Sequence, residues 1–320
     1  MVERVSNRKW LPVPWLRMES AIPSSLQFRK DATVDVLEGE RMQNHSSLFS
    51  LFPYTQITRT HHFTCIRRGS YTLNTVTMTF GDLLGIVKKH KVFETPMHML
   101  VTPRPLPLEE LPLPAREWLG ETVVRRWIVP DPFLFSGARP YQSGDPMHTV
   151  HWKATARTNE LQVHRKDFTA DYSIMICLNV EDREEVWKEV IDQERIEQLI
   201  RACSAVAFDL TDKQVPVGFA CNGYDIETKE KRPLVIEQGS GAAHLDTIQE
   251  QLAKLKIEPV VHFYELLEKL QQGQQGAVDY LIVTSVVNSK VLERIERLRG
   301  SGSEVQLLDM ASLGFMKEGA

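Results

Sequence analysis

Several absences narrow this chain before anything present does. It contains no run of about 18 consecutive apolar residues, the length a membrane-crossing helix requires, and no apolar N-terminal stretch of the secretory type. The chain as it stands reads as soluble. Cysteine is scarce: Cys65, Cys177, Cys203 and Cys221 are the only four. No two stand at C-x-x-C spacing, which removes a zinc ribbon or a dithiol redox pair. Cys177 lies in an apolar run and Cys203 beside alanines in a helical pattern, so both read as small buried residues in a reducing compartment. A basic excess is also missing. The net charge is -4 and the pI about 6.2, whereas a dedicated nucleic-acid binder would be basic. No Walker loop, G-x-S-x-G or G-x-G-x-x-G follows a strand-like run, so nucleotide binding and serine-hydrolase chemistry have no motif.

What is present fits two domains. At 320 residues the chain is too long for one ordinary core. Up to about Pro114 it reads as strands and turns. Trp10 to Trp15 carries two prolines, which exclude a helix and leave an edge strand or extended turn. Thr33–Leu37 and His61–Ile66 alternate in polarity. Tyr71–Phe80 is the strongest strand, rich in Thr, Val and aromatics at period two. Met97–Val101 is a further short strand. Short strands at regular spacing predict a β-sandwich. Residues 102–114 carry five prolines and predict an extended, semi-rigid boundary.

Past Ser173, strands alternate with helices. Ser173–Leu178, Pro216–Cys221, Pro233–Ile236, Val278–Thr284 and Glu304–Leu308 read as strands. Glu184–Asp212, Leu245–Leu255, Val261–Gln272 and a helix from the Asn288 cap to Arg299 read as helices. This alternation predicts a doubly wound parallel sheet of Rossmann type. The expected organisation is α+β: a β-sandwich over 1–114, a linking segment over 115–172 and an α/β domain over 173–320.

The linking segment holds Arg139-Pro-Tyr-Gln-Ser-Gly-Asp-Pro-Met-His-Thr-Val-His-Trp-Lys-Ala-Thr-Ala-Arg157. Asp145 suits a helix N-cap and Pro146 the first helical position. The turns that follow would place Met147, Val150 and Ala154 on one face, with Trp152 and Ala156 in a neighbouring stripe. Leu161–Val163 reads as a short strand. Arg139, Tyr141, Gly144, Asp145, Val150, Trp152, Lys153, Ala156, Arg157, Leu161 and Val163 at this spacing resemble the signature of the domain-of-unknown-function-58 family. Asn7–Trp15, Arg67–Tyr71 and Gly81–Ile86 resemble landmarks of the same family, so the resemblance spans most of the chain.

That resemblance implies a von Willebrand A-like back half and a non-catalytic interaction or assembly role with no cofactor. It also implies a partner of the MoxR-type AAA+ ATPase class and a bacterial membrane anchor just upstream, which would explain why the chain opens directly in polar, strand-like Val2–Arg8. The implied partner surface is Arg139, Tyr141, Gly144, Asp145, Trp152, Lys153 and Arg157. Basic Arg165 and Lys166 lie just beyond it. An equally weighted reading is that these side chains only pin the segment to the domain.

Von Willebrand A domains commonly hold Mg²⁺ in an Asp-x-Ser-x-Ser loop after the first strand. Here the matching loop runs from Asn179 to Arg183, with an amide for the aspartate and Glu181 and Arg183 for the serines. A degenerate site without metal is expected. Two other readings are a metal-dependent ligand-binding domain and a metal-dependent hydrolase built on Asp145, His148 and His151, with His164 following the cluster. Family members carry Arg and Asp at the positions of His148 and His151, which argues against the hydrolase. His61 and His62 alternate in a strand and point to opposite faces.

Overall fold

A computed structural model describes residues 1–309, except 29–33, 38–41, 83–85, 113, 121–129, 143–146, 148–149, 159, 169–172, 184–189 and 274–277. At 34–37, Met42, 130–137, Arg139 and 164–168 it describes the backbone alone. By packing, the chain divides into two compact units: Met1–Pro103 with Leu252–Lys254, and Arg104–Gln251 with Leu255–Ala320.

The described secondary structure of residues 1–103 is all β. Strands β2 (Val13–Pro23), β4 (Val34–Leu37), β5 (Met42–Leu51), β8 (Gly69–Gly81) and β9 (Lys88–Val101) form an antiparallel sheet in the order β4-β5-β2-β8-β9. Two ribbons accompany it, β1 (Val2–Ser6) with β6 (Gln56–Thr60), and β3 (Leu26–Phe28) with β7 (Phe63–Cys65). Alternation in β5 buries Gln43, His45, Ser47, Phe49 and Leu51 on one face. Phe49, Leu51, Leu16 and Val5 join Met18, Ile57 and Met78 in one apolar cluster, so the β1–β6 ribbon covers the sheet there. The sequence pattern exposed only the last five residues of β9. Its first stretch, with Lys88, Lys89, Lys91 and Pro96, lies on the sheet edge and is exposed, so no apolar alternation marks it.

The proline-rich boundary is less extended than its composition predicts. It contains a 3-10 turn (Leu108–Glu110) and runs into helix α1 (residues 114–120). Leu106, Leu111, Ala115, Trp118 and Leu119 are buried. Leu106 N–H donates to the Arg201 carbonyl at 3.3 Å, and Arg201 Nε donates to the Arg104 carbonyl at 3.1 Å. Beyond it, β10 (Pro130–Pro140) pairs antiparallel with β11 (Gln162–Phe168), flanking helix α2 (Trp152–Thr158).

The main sheet of the back unit comprises β12 (Ser173–Leu178), β13 (Val217–Cys221), β15 (Leu234–Gly239), β17 (Val278–Thr284) and β18 (Val305–Asp309), ordered β15-β13-β12-β17-β18. The all-parallel expectation is corrected at β15, which runs antiparallel to β13. The segment between them contains a two-residue strand β14 (Tyr224–Asp225) and no helix. Without a crossover helix, the chain returns in the opposite direction. Every residue of β12, β13 and β17 is buried, as a sheet covered on both faces requires. Helix α3 (Gln193–Asp212) packs on β12, β13 and β17. Met175, Cys177, Tyr280 and Ile282 cluster with α5 (Phe263–Gly273) and α6 (Ser289–Gly300). Ser204 of α3 donates to Gln249 of α4 (Ala242–Lys254) at 2.8 Å.

Helix α3 starts later than its apolar period implied. Asp192 caps it by accepting from Arg195 N–H at 3.0 Å, and Val190 and Ile191 precede the helix. Asn288 caps α6 as expected, accepting from Val291 N–H at 2.9 Å. No helix among the described residues is long and apolar enough to cross a membrane.

Candidate functional site

Strand order reverses at β12, which has β13 on one side and β17 on the other. The carboxyl ends of these three parallel strands meet at a topological switch point, where open α/β sheets carry their ligand sites. Here that position holds a buried polar network, with half-buried Ser285 at its edge. Asn179 accepts at Oδ1 from Glu181 N–H and Asn222 Nδ2, both at 3.0 Å, and donates from Nδ2 to Thr284 Oγ1 at 3.0 Å. Asn222 accepts from Val180 N–H at 2.9 Å and donates to Glu181 Oε1 at 3.1 Å. Glu181 Oε1 also accepts from Phe263 N–H at 2.9 Å, at the start of α5. Ser285 Oγ donates to the Glu181 carbonyl at 3.0 Å. Asn179, Glu181, Asn222 and Thr284 are at most 5% exposed.

Burial pushes the Glu181 carboxyl above its ordinary range, against the opposing pull of the Phe263 N–H, the His262 ring and the Asn222 amide. Asp182 is equally enclosed. Its Oδ2 accepts from Ile191 and Asp192 N–H at 2.7 and 2.8 Å, while Oδ1 is buried with no hydrogen-bond partner among the described residues. The close approach of Lys256 on β16 (Leu255–Lys256) explains Gly223. A Cβ there would lie 2.7 Å from the Lys256 carbonyl oxygen.

The loop from Asn179 to Arg183 thus divides. Asn179 and Glu181 enter the network, whereas Arg183 is exposed outside it. The aligned loop alone pointed to Asn179 and Glu181. It did not point to Asn222, Thr284 or Phe263, whose only signal is their place at strand ends or a helix start. An amide is needed at 179 because one oxygen accepts twice and the nitrogen donates. Asn179→Asp removes that donor and adds a second carboxylate beside Glu181. It is expected to cost about 2–3 kcal/mol. Urea midpoints at unchanged slope would measure this, and equal stability would mean that the donor is dispensable.

The signature segment is organised differently from its helical reading. Val150 bridges Val163 and both are buried, so Val150 is extended rather than helical. Helix α2 begins at Trp152, because His151 caps it: Ala154 N–H donates to His151 Nδ1 at 3.2 Å, and Ala154 and Thr155 N–H donate to its carbonyl at 3.0 Å. Gln162 N–H donates to Thr155 Oγ1 at 3.0 Å, His151 N–H to the Gln162 carbonyl at 2.7 Å, and Tyr141 N–H to the Leu161 carbonyl at 2.8 Å. Trp152 is 65% exposed. Lys153, Ala156 and Arg157 are also exposed, and Tyr141 is half-buried. Neither Lys153 nor Arg157 forms an ion pair with a described residue. Arg139 pairs through its backbone with Val163. Gly144, Asp145 and His148 lie outside the described residues, as do the side chains of Arg139, His164, Arg165 and Lys166.

The model of the family described as "Protein of unknown function DUF58" matches residues 137–311, more than half of the chain. No curated protein matches. A solved GH20 exo-β-N-acetylglucosaminidase from Vibrio harveyi, in complex with N-acetylglucosamine, aligns at 10% identity and a TM-score of 0.20. That alignment covers 93% of this chain and 57% of the enzyme, and likeness at that level carries no argument about fold or activity.

Proposed function

Because the chain belongs to the DUF58 protein family, whose function is unknown, we propose from its own surface that it is a non-catalytic interaction module whose docking face is α2. One observation carries this reading: Trp152 is 65% exposed on a helix held in place by other residues. Val150 and Val163 supply the buried contact, and His151, Thr155 and Gln162 supply the hydrogen bonds. Neither the tryptophan nor its basic neighbours Lys153 and Arg157 is needed for pinning. An aromatic flanked by cations is a common anchor of protein interfaces, and it favours an acidic partner surface.

The back unit is read as von Willebrand A-like. The strand order with a reversed β15 supports this, and so does the position of the Asn179 loop at the switch point. In this reading the usual metal position is taken over by protein hydrogen bonds, because Asn179 Oδ1 and Glu181 Oε1 accept from Asn222, Phe263 and the loop backbone. The partner class remains the MoxR-type AAA+ ATPase that the family resemblance implies, working with a bacterial protein anchored at the membrane through a segment upstream of this chain.

The test is capture of such an ATPase by the purified chain. Trp152→Ala with Arg157→Ala is expected to weaken capture at least tenfold, as loss of an aromatic and an arginine anchor does, while the melting temperature stays unchanged. Undiminished capture by the folded double variant would sink the docking assignment.

A further inference from the structure

We propose that Glu3, His45 and His61 bind one divalent transition-metal ion, zinc foremost, inside the front β unit. The three residues come from separate parts of the chain: Glu3 from β1, His45 from β5, and His61 from just beyond β6. Strand alternation turns Glu3 and His45 inward, and His61 points in while His62 points out. All three are buried, at 7%, 1% and 6% exposure.

Their potential ligand atoms lie within 4.8 Å of one another. His61 Nε2 is 2.9 Å from Glu3 Oε2, and His45 Nδ1 is 3.5 Å from Glu3 Oε1. Four ligands at about 2.0–2.1 Å around a tetrahedral ion are about 3.4 Å apart, so small side-chain shifts would seat an ion between them. The imidazole rings stand nearly perpendicular, 82° apart, with centroids 4.7 Å apart.

An independent observation points to a missing ligand. Beyond the 3.5 Å approach of Nδ1 to Glu3, neither ring nitrogen of His45 has a hydrogen-bond partner among the described residues, although the residue is 1% exposed. Buried polar groups are nearly always partnered, and an orphan calls for an ion or water. Ser47 Oγ, two residues along the same inward face of β5, is buried and has no partner among the described residues either. Burial keeps His45 below its ordinary pKa, with the Glu3 charge opposing and His61 assisting.

Two imidazoles and one carboxylate suit zinc and its neighbours, whereas calcium and magnesium prefer all-oxygen shells. The ion would balance the Glu3 carboxylate. It would also join β1, β5 and the end of β6, adding to the β6 pairing and the Val5 packing that hold the N-terminal strand.

The experiment uses the full chain without a histidine tag, stripped by chelator and titrated calorimetrically with Zn²⁺, with Co²⁺ as the spectroscopic probe. One zinc per chain is expected, with a melting point raised by about 4 °C or more. Cobalt should give a visible band of tetrahedral type. His45→Gln and Glu3→Gln should each weaken zinc at least about 100-fold, whereas a His148→Ala, His151→Ala double variant should bind as the parent does. If His45→Gln does not fold, the cobalt band of Glu3→Gln against that of the parent decides, and an unchanged band overturns the site. No zinc uptake by the parent, or uptake abolished by the His148/His151 variant instead, also overturns it.

Discussion

Asn222→Leu is expected to destabilise the back unit by about 3–5 kcal/mol. The side chain is fully buried and serves four partners at the switch point, the longest contact being 3.5 Å to the Val261 carbonyl. Leucine matches its size roughly but offers no polar atom. The Val180 N–H, itself in a fully buried residue, then loses its acceptor at a cost of about 1–3 kcal/mol. Loss of the bond to the Glu181 carboxylate adds about 1.5–3 kcal/mol. Asn179 Oδ1 keeps Glu181 N–H, and Glu181 Oε1 keeps Phe263 N–H, so the damage stops there. Hydrogen exchange at β12 and β17 during urea denaturation would isolate this unit from the front one. A loss below 1 kcal/mol would mean that the network is loosely coupled to the sheet.

Glu181 should separate acceptor geometry from charge. Glu181→Ala strips the acceptor from Phe263 N–H and Asn222 Nδ2 and should cost about 2–4 kcal/mol. Glu181→Gln keeps an oxygen for both, so at pH 7 it should match or exceed the parent. The sign follows from the raised folded-state pKa. An acid of this kind contributes its full stability below the unfolded value of 4.5, and loses it as pH rises through the folded value. The Glu181 contribution should therefore grow as pH is lowered through the raised folded value toward 4.5, and the pH dependence of Glu181→Gln should differ from the parent's by the loss of that slope. If glutamine proves as harmful as alanine at pH 7, the charge itself is required, and a cation at this loop becomes the better reading.

The elements of the back unit were largely legible. β12 and β17 are short apolar runs, Asn288 is a side-chain cap, and strands alternate with helices, all of which local chemistry writes into the sequence. The direction of β15 was not legible, because the charged segment before it can lead to either sense. Nor was the edge stretch of β9, where exposed lysines erase the period. In the signature segment, the aspartate–proline pair invited a helix from Asp145. The described helix starts at Trp152, since Val150 is drawn into a bridge with Val163.

The site divides along the same line. Asn179 and Glu181 could be singled out because a family loop aligns there. Asn222, Thr284 and Phe263 could not, for they are close only once three parallel strands end side by side. Glu3, His45 and His61 are separated by 42 and 16 positions (45 − 3 and 61 − 45) and carry no spacing that a motif could hold. By itself the sequence determined the α+β composition, the family and most element identities, because capping, alternation and apolar runs are local. Tertiary structure alone decided which polar side chains meet, because burial makes each depend on a partner that only the pairing of distant strands supplies.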